Sequence, residues 1–544
     1  MTTVSAQRTI ARLHNIRCRF GAEFAAEKLH LLERLEHSQV RTAADAKRLH
    51  SSLCFIRAFP DSAAILAKAQ SELANFHKRV QKLRAAQKSR LAESGIAGTI
   101  LHYPFSYEVA SWIARNFPGT ASIDWRASPD TDRLDELVKH LLEHAETEYF
   151  HGGTVSTEEW LLLATREFRG TDFDWLMAQL AERPVHEQFW RALYDAIDLP
   201  LKCKLRNNLY SRTGNAMHVS DPCFRRNSMR NRMAFAKREI ARPLAALTLL
   251  DTTQGIRVLD AARSSLALRH RETDHFNNAN PGEIYLAEVG KGVSIALMGL
   301  LPDRRDPLEC TMGYLILSNG VPIGYGGASI LFHQANTGIN IFDEYRGSEA
   351  AWLWAQVMRV VHAQSGCTRF IANPYQFGED NTEALKSGAF WFYYRLGYRP
   401  VDPGVRKVAN QEFRRITLRK EYRSPVATLR HLATSDMVLV LPVARQSQLF
   451  SESWIERCGL LATSALAAAR QPSRKEALDN VVAKVMNALD VRTMEDWPAQ
   501  QRAAFIRFCP LIAALDLASW PAKDRRSLLR LLRAKGGQLE IDYA

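Results

Sequence analysis

The sequence lacks a long hydrophobic run. One of its most apolar stretches, MVLVLPVA at Met437 to Ala444, is only of strand length, and no run approaches the roughly 18 apolar residues that a membrane-spanning helix needs. The stretch from Met1 to Phe20 lacks the continuous apolar segment of a secretory signal. We therefore expect no membrane span, and we expect a cytoplasmic protein.

Cysteine is sparse and follows no recognisable spacing. The chain has 8 cysteines, and no two of them form a CxxC pair. In a chain of this length, that pattern is typical of reduced thiols rather than of a disulfide framework. Cys203, His218 and Cys223 form a loose cluster of metal-binding residue types, but their spacing matches none of the usual zinc patterns. We expect no metal site.

The length and the charge balance limit the number of domains and the kinds of partner that the protein can have. A chain of 544 residues is too long for one ordinary domain, and it predicts two to four domains of roughly 100–200 residues each. Hydrophobic residues make up 46% and charged residues 24%, which is the balance of a globular protein with a sizeable core. The formal net charge of +14 is compatible with nucleic acid, an anionic membrane surface or phosphorylated ligands, and it selects none of them.

Apolar residues recur at helical spacing through the first part of the chain, so we predict a helical domain over 1–200. Within it, Asp61 or Ser62 can cap a helix that carries a heptad-like apolar stripe. The stripe consists of Leu66, Ala69, Leu73, Phe76, Val80 and Leu83. We interpret it as facing a core, with a solvated basic face opposite. A nucleic-acid-binding coiled coil is the alternative.

The segment 201–254 is predicted to be a basic connection between domains. Lysine and arginine dominate it between Lys202 and Arg242, where Asp221 and Glu239 are the acidic residues. We predict an irregular connection followed by a basic helix. Its positive charge fits either a solvated linker face or an anion-binding flank for cofactor phosphates or RNA.

After Gly282 the composition changes to short β-branched runs separated by Gly, Asn and Pro, which predicts strands. Asn319-Gly320 between two runs predicts a hairpin. A helix over about 349–363, a buried strand, a second helix and the strand-like FRRITLRK (Phe413 to Lys420) then follow. This order predicts an antiparallel meander that passes into a parallel crossover.

The whole chain therefore predicts an α+β multidomain protein. A mixed α/β sheet domain over 255–422 follows the helical domain and the connection, and a helical C-terminal region covers 423–544. The last helix is amphipathic and basic, and Gly536 and Gly537 are placed to end it.

The turn after Phe342 is predicted to hold an anion. It follows an apolar, β-branched approach and leads directly into an apolar helical pattern. A helix that begins just after a strand offers unpaired amide hydrogens and a partial positive charge to a phosphate. Small residues at 347, 348, 350 and 351 would let a ligand approach the backbone.

This turn resembles that of the GNAT acyltransferase superfamily. The family's pyrophosphate turn reads roughly Arg-Gly-x-Gly-x-Gly/Ala, and DEYRGSEAA supplies Tyr345, Arg346, Gly347 and Ala351 in register. Glu349 stands where the family has its second glycine, so a carboxylate would face the pyrophosphate.

A second motif supports the resemblance, which covers residues of about 255–420. The family pattern is roughly Asn-x-x-Ala-x-x-Phe/Leu-Tyr-x-x-x-Gly-Phe/Tyr. KSGAFWFYYRLGY matches it at Ala389, Phe392, Tyr393, Gly397 and Tyr398. Lys386 replaces the first asparagine.

The resemblance implies transfer of an acyl group from acetyl-CoA or another acyl-CoA to an amine, which could belong to a protein, an amino acid or a small molecule. Tyr393 would be the acid that meets the leaving thiolate. Glu344, beside Asp343, or His333 on the preceding strand would be the base. The implied cofactor-binding residues are Phe342, Arg346, Gly347, Ser348, Ala350 and Ala351. Arg346 could contact a phosphate or form a salt bridge with Glu349.

Two other functions fit the same residues. A GNAT-like module without catalytic activity could act as a binding or scaffold protein, and Glu349 and Lys386 at motif positions favour that hypothesis. A nucleic-acid-associated protein could use the basic segment and the basic last helix.

Overall fold

The computed structural model describes residues 3–127, 130–148, 155–182, 187–229, 236–346, 349–419, 421–442, 449–450 and 452–544. Over these ranges the chain combines helices with a large mixed sheet, which confirms the predicted α+β fold class. Within the same ranges, no helix is both long and apolar enough to cross a bilayer.

The chain begins with a group of helices. They are α1 (Thr3–Ile16), α2 (Ala22–Glu36), α3 (Ala43–Ala58), α4 (Ala63–Ala74), α5 (Phe76–Gln81) and α6 (Ala85–Ser89). Helix α4 starts where predicted, because the Ser62 side chain accepts a hydrogen bond from the Ile65 amide. All six residues of the predicted stripe are buried, which confirms that the stripe faces a core.

A small antiparallel sheet with its own helices follows. Its strands are β1 (Ile100–Tyr103), β2 (Ala121–Ile123) and β3 (Leu201–Lys204), in the order β1–β3–β2. The helices beside it are α7 (Tyr107–Asn116), α8 (Thr131–Lys139), α9 (Thr157–Ala164), α10 (Asp172–Glu182) and α11 (Glu187–Ile197). The region predicted to be helical thus also holds two short strands. Gly95 and Gly98, both with positive φ, turn the chain into the first of them.

The large sheet combines the predicted antiparallel meander with a parallel pair of strands. Its strands are β4 (Thr248–Leu249), β5 (Ala279–Gly290), β6 (Val293–Leu300), β7 (Cys310–Ser318), β8 (Val321–Leu331), β9 (Gln334–Thr337), β10 (Asn340–Ile341), β11 (Arg369–Ala372), β12 (Arg399–Pro400) and β13 (Met437–Val440). The order is β12–β13–β11–β9–β8–β7–β6–β5–β4, with β10 also paired to β8. Strands β5 to β9 form an antiparallel meander, and β9 pairs with β11 in parallel. The φ angles of Asn319 and Gly320 are 45° and 74°, which confirms the tight hairpin between β7 and β8.

Helices cover the large sheet. They are α12 (Ala236–Ile240), α13 (Thr252–Ala267), α14 (Asp274–Asn277), α15 (Ala350–Ser365), α16 (Thr382–Ser387), α17 (Ala389–Leu396), α18 (Pro403–Leu418) and α19 (Val426–Leu432). The strand predicted over Phe413 to Lys420 is wrong, because most of that stretch is the end of α18. The Asp402 side chain caps this helix at the Val405 amide, and Val405, Ala409 and Phe413 pack inward at a spacing of four.

The region predicted to be helical over 423–544 also holds β13, which belongs to the large sheet, and from Glu452 onward its regular elements are helices. These helices are α20 (Glu452–Ala468), α21 (Arg474–Ala488), α22 (Ala499–Ile512) and α23 (Ala522–Ala534). Gly536 and Gly537 end α23, since their amides donate to the carbonyls of Arg533 and Ala534. Short 3-10 turns cover Trp125–Ala127, His144–Glu146, Pro302–Arg304, Asp343–Tyr345, Pro374–Phe377, Leu517–Ser519 and Glu540–Tyr543.

The buried apolar residues fall into three clusters. The first joins the helices of residues 10–96 to the large sheet, the second lies around the small sheet, and the third lies within 466–532. The first helices and the large sheet therefore share a core. The predicted domain boundaries near 200, 254 and 422 stay predictions.

Candidate functional site

The turn predicted to hold an anion lies between β10 and α15. A 3-10 turn covers Asp343–Tyr345, and α15 begins at Ala350 with Glu349 as its N-cap residue. Ala350 and Ala351 occupy the first turn of α15, where amide hydrogens have no partner within the helix. Gly347 and Ser348 lie outside the described residues. Their contacts with a phosphate stay predictions.

Phe342 anchors the start of the turn. It is buried, and its ring stacks on Tyr325 with 5.5 Å between the centroids. The Arg269 guanidinium lies 3.9 Å from the centroid of the same ring. An aromatic neighbour and a cation over the ring fix the side chain. A ligand could therefore reach Phe342 only through its backbone.

Glu344 is buried in this turn and holds two arginines. Its carboxylate is 2.9 Å from Nη2 of Arg212 and forms a second ion pair with Arg269. Burial alone would raise the pKa of this carboxyl, but the charges of Arg269 and Arg212 outweigh it and lower the pKa to about 2. A carboxylate with so low a pKa is a weak base, so the geometry favours a structural role for Glu344 over the predicted catalytic one.

Glu349 places a carboxylate at the N-terminus of α15. It is 4% exposed and lies 2.9 Å from Nη1 of Arg225 and 2.9 Å from Nζ of Lys291. Its side chain does not cap the helix. A cavity of about 480 Å³ opens beside it and is also lined by Arg226 and Cys223. The helix N-terminus is thus flanked by an internal anion and by cations that an external anion could also use.

Arg346 lies on the surface of the turn. Its Nη2 atom is 2.9 Å from Asp343 and 2.6 Å from Glu383, and more than half of its side chain is exposed. The predicted salt bridge with Glu349 is wrong, because Glu349 is paired with Arg225 and Lys291 instead. Arg346 would have to leave two carboxylates to contact a phosphate.

The sheet divides immediately before the turn. Strand β9 pairs with both β8 and β11, whereas β10 pairs with β8. Gly338 lies between β9 and β10, and its carbonyl accepts a hydrogen bond from the Tyr314 hydroxyl. A Cβ at position 338 would contact the side-chain amide of Gln376, so a larger residue there would displace Gln376. The backbone of β10 therefore parts from β11 at Gly338.

Tyr393 reaches this division of the sheet from α17. Its hydroxyl donates to Oε1 of Gln376 at 3.4 Å and interacts with the backbone of Ile339. Burial raises the pKa of the Tyr393 phenol, so the group stays protonated at neutral pH. Asn373, at the end of β11, has a buried Oδ1 atom without a partner in the described part of the chain. Polar groups of three segments thus surround the point where β10 and β11 part.

His333 does not join this group. It is exposed in the turn between β8 and β9, where its carbonyl accepts the amides of Thr368 and Arg369. Along an extended strand, the five residues from His333 to Gly338 span about 17 Å. The predicted alternative base is therefore remote from Tyr393.

Sequence reasoning missed the cations that hold the turn. Arg212 and Arg225 belong to the basic segment, yet Arg225 is buried against Glu349 and Arg212 is partly buried against Glu344. More than a hundred residues separate the members of each pair, so no local pattern could have revealed them. The basic segment is accordingly less available to nucleic acid than its composition indicates.

A metal site is not apparent among the described residues, where no group of three His, Cys, Asp or Glu side chains could hold an ion. Cys203 lies in the core around the small sheet. The Cys223 amide instead donates to Asn319 beside the β7–β8 hairpin.

Comparison of the chain with protein-family models, with curated proteins and with solved structures found no match.

Proposed function

We propose that the protein is an acyl-CoA-dependent N-acyltransferase of the GNAT type with an amine acceptor. The observation that carries the proposal is the division of the sheet at Gly338. There β9 pairs with β11 whereas β10 pairs with β8, the buried Tyr393 hydroxyl lies beside Gln376 and the Ile339 backbone, and α15 begins a few residues further on. An acyl-CoA could lay its thioester in the gap and its phosphates at the N-terminus of α15.

The reaction needs few groups from the protein. The acceptor amine attacks the thioester carbon, a C–N bond forms, and the C–S bond breaks. The Tyr393 hydroxyl donates a hydrogen bond to the sulfur as it becomes negative, and backbone amides stabilise the carbonyl oxygen. The amine releases one proton to solvent and the thiolate takes one up, so the step balances. Glu344 holds the turn in shape and takes no proton in this scheme.

The first experiment measures the thermal unfolding midpoint with CoA, acetyl-CoA and a long-chain acyl-CoA. A ligand that binds the native state raises the midpoint. Tyr393→Phe should keep that rise and lower the acyl-transfer rate by about 100-fold or more. If no acyl-CoA shifts the wild-type midpoint, the proposal is wrong.

The second candidate is a GNAT-like binding module without catalysis. The Glu349 carboxylate favours it, because it already takes the charges of Arg225 and Lys291 where a pyrophosphate would lie. Under this hypothesis Glu349→Gln frees both cations and tightens CoA binding in calorimetry, while the wild-type protein turns over no acyl-CoA. Glu36→Gln is a matched control, because Glu36 pairs with Lys68 on the surface. Weaker binding by Glu349→Gln would show that Glu349 supports the ligand site.

A further inference from the structure

A second cavity lies apart from the turn. Its volume is about 490 Å³, within the range of roughly 300–1,000 Å³ that small-molecule sites occupy. Helices α7, α10 and α11 form one side, and residues of α13, α14 and the loop after β6 form the other. None of its lining residues belongs to the turn between Phe342 and Ala351.

Three residues that line this cavity each carry a buried polar atom without a hydrogen-bond partner in the described part of the chain. The atoms are Nε1 of Trp190, Nη1 of Arg191 and Oδ1 of Asp174. Trp190 is 3% exposed and Asp174 is 8% exposed. Leaving a buried polar group unpaired destabilises the folded protein, so three such groups around one cavity point to a ligand.

Two of these side chains are held in place by their other atoms. Arg191 pairs through Nε with Glu108 at 2.6 Å and donates through Nη2 to Asn278 at 3.1 Å. Oδ2 of Asp174 accepts the amides of Gly119 and Thr171. Each side chain is therefore anchored through some of its polar atoms, while one buried polar atom has no partner in the described part of the chain.

Cations outnumber carboxylates around the cavity. The lining cations are Arg115, Arg191, Arg263 and Arg304, and the lining carboxylates are Glu108 and Asp174. Burial lowers the pKa of Arg263 to about 10, so its guanidinium is still charged at neutral pH. Met177, Leu180 and Trp190 add an apolar wall. The ligand should therefore carry net negative charge and short apolar segments.

We propose that this cavity binds a small organic anion that also carries a protonated amine, of the amino-dicarboxylate type. Its acid groups pair with Arg191 and the Trp190 indole N–H, and its ammonium group pairs with Oδ1 of Asp174. The arginines on the opposite side receive the second acid group. This site does not depend on the acyltransferase proposal, because its test measures binding without any acyl-CoA.

The test compares three probes by calorimetry and by the thermal unfolding midpoint. L-Glutamate carries both kinds of group, glutarate lacks the amine, and 4-aminobutyrate lacks one carboxylate. We expect L-glutamate to bind about tenfold or more tightly than either analogue, because each analogue leaves a buried charged atom unpaired. Equal binding of all three, or no binding of L-glutamate at millimolar concentration, would overturn the proposal.

Single substitutions test whether the probes bind in this cavity. Asp174→Asn should remove the preference for L-glutamate over glutarate, and Arg191→Met should abolish binding of both. Arg304 forms an ion pair with the adjacent Asp303, so Arg304→Met should leave the fold intact. This variant should weaken binding severalfold. Arg12→Met, which removes an exposed arginine paired with Glu27, should change nothing. If Arg12→Met weakens binding as much as Arg304→Met, the probe binds the general surface charge and the proposal fails.

Discussion

Replacing Glu344 with glutamine tests whether the turn after β10 is held by buried charge. Glutamine keeps the size of the side chain and resembles the protonated carboxyl, but it removes the negative charge between Arg212 and Arg269. The ion pairs lower the pKa of Glu344 to about 2 from its ordinary 4.5. That difference corresponds to about 3 kcal/mol in favour of the ionised carboxylate in the folded protein.

The loss of unfolding free energy caused by Glu344→Gln should become smaller as the pH falls. The folded-state pKa of Glu344 is depressed, so its contribution to the free energy of unfolding is complete above the unfolded pKa of 4.5 and is lost as pH falls toward 2. The difference in unfolding free energy between wild type and Glu344→Gln should be about 3 kcal/mol at pH 7. At pH 3 it should fall to about 1.4 kcal/mol.

Urea denaturation followed by tryptophan fluorescence measures this difference, provided that both proteins show the same dependence on urea concentration. Glu36→Gln, which removes an exposed partner of Lys68, should show little pH-dependent difference. A difference for Glu344→Gln that is the same at pH 7 and pH 3, or that is below about 1 kcal/mol at pH 7, would refute the ion-paired geometry.

Two further changes test other buried charges. Lys28→Met removes the ammonium that lies 2.8 Å from the buried Asp61 carboxylate. It should lower the free energy of unfolding by about 3–5 kcal/mol in urea denaturation. Adding Asp61→Asn in a double variant should restore part of that loss. Glu283 accepts the amides of Glu540 and Ile541, and burial raises its pKa to about 7. Because this folded-state pKa is raised, the contribution of Glu283 to the unfolding free energy should fall by about 3 kcal/mol between pH 4.5 and pH 7. Glu283→Gln should therefore lose less unfolding free energy than the wild type over the same interval in the same assay. A Glu283→Gln protein with the wild-type pH dependence would contradict this assignment.

Local chemistry made part of the fold predictable. Asn319 and Gly320 take the positive φ angles that a two-residue hairpin demands, and Ser62 caps α4 through its own side chain. The passage from antiparallel meander to parallel pair also follows from the order of strands and helices. In each case the signal lies within a few residues of the structure that it specifies.

The unpredicted features depend on residues that are distant in the sequence. The strand proposed for Phe413 to Lys420 fails because Asp402 and Val405, which start α18, lie outside the stretch that suggested a strand. The role of Glu344 could not be read locally either, since Arg212 lies 132 residues away. A carboxylate near a turn predicts a base as readily as a buried anchor until its partners are known.

The charge around the turn bears directly on the two functional candidates. Taken alone, Glu349 would repel a pyrophosphate, but it pairs with Arg225 and Lys291. Glu344, in the same turn, pairs with Arg212 and Arg269. Four cations and two carboxylates leave an excess of positive charge, and the N-terminus of α15 adds to it. Lys291 is 43% exposed, so its ammonium can turn toward a phosphate without leaving the protein surface. A negative group can therefore still be attracted with Glu349 in place, and that attraction should weaken as salt is added, since part of it acts through solvent.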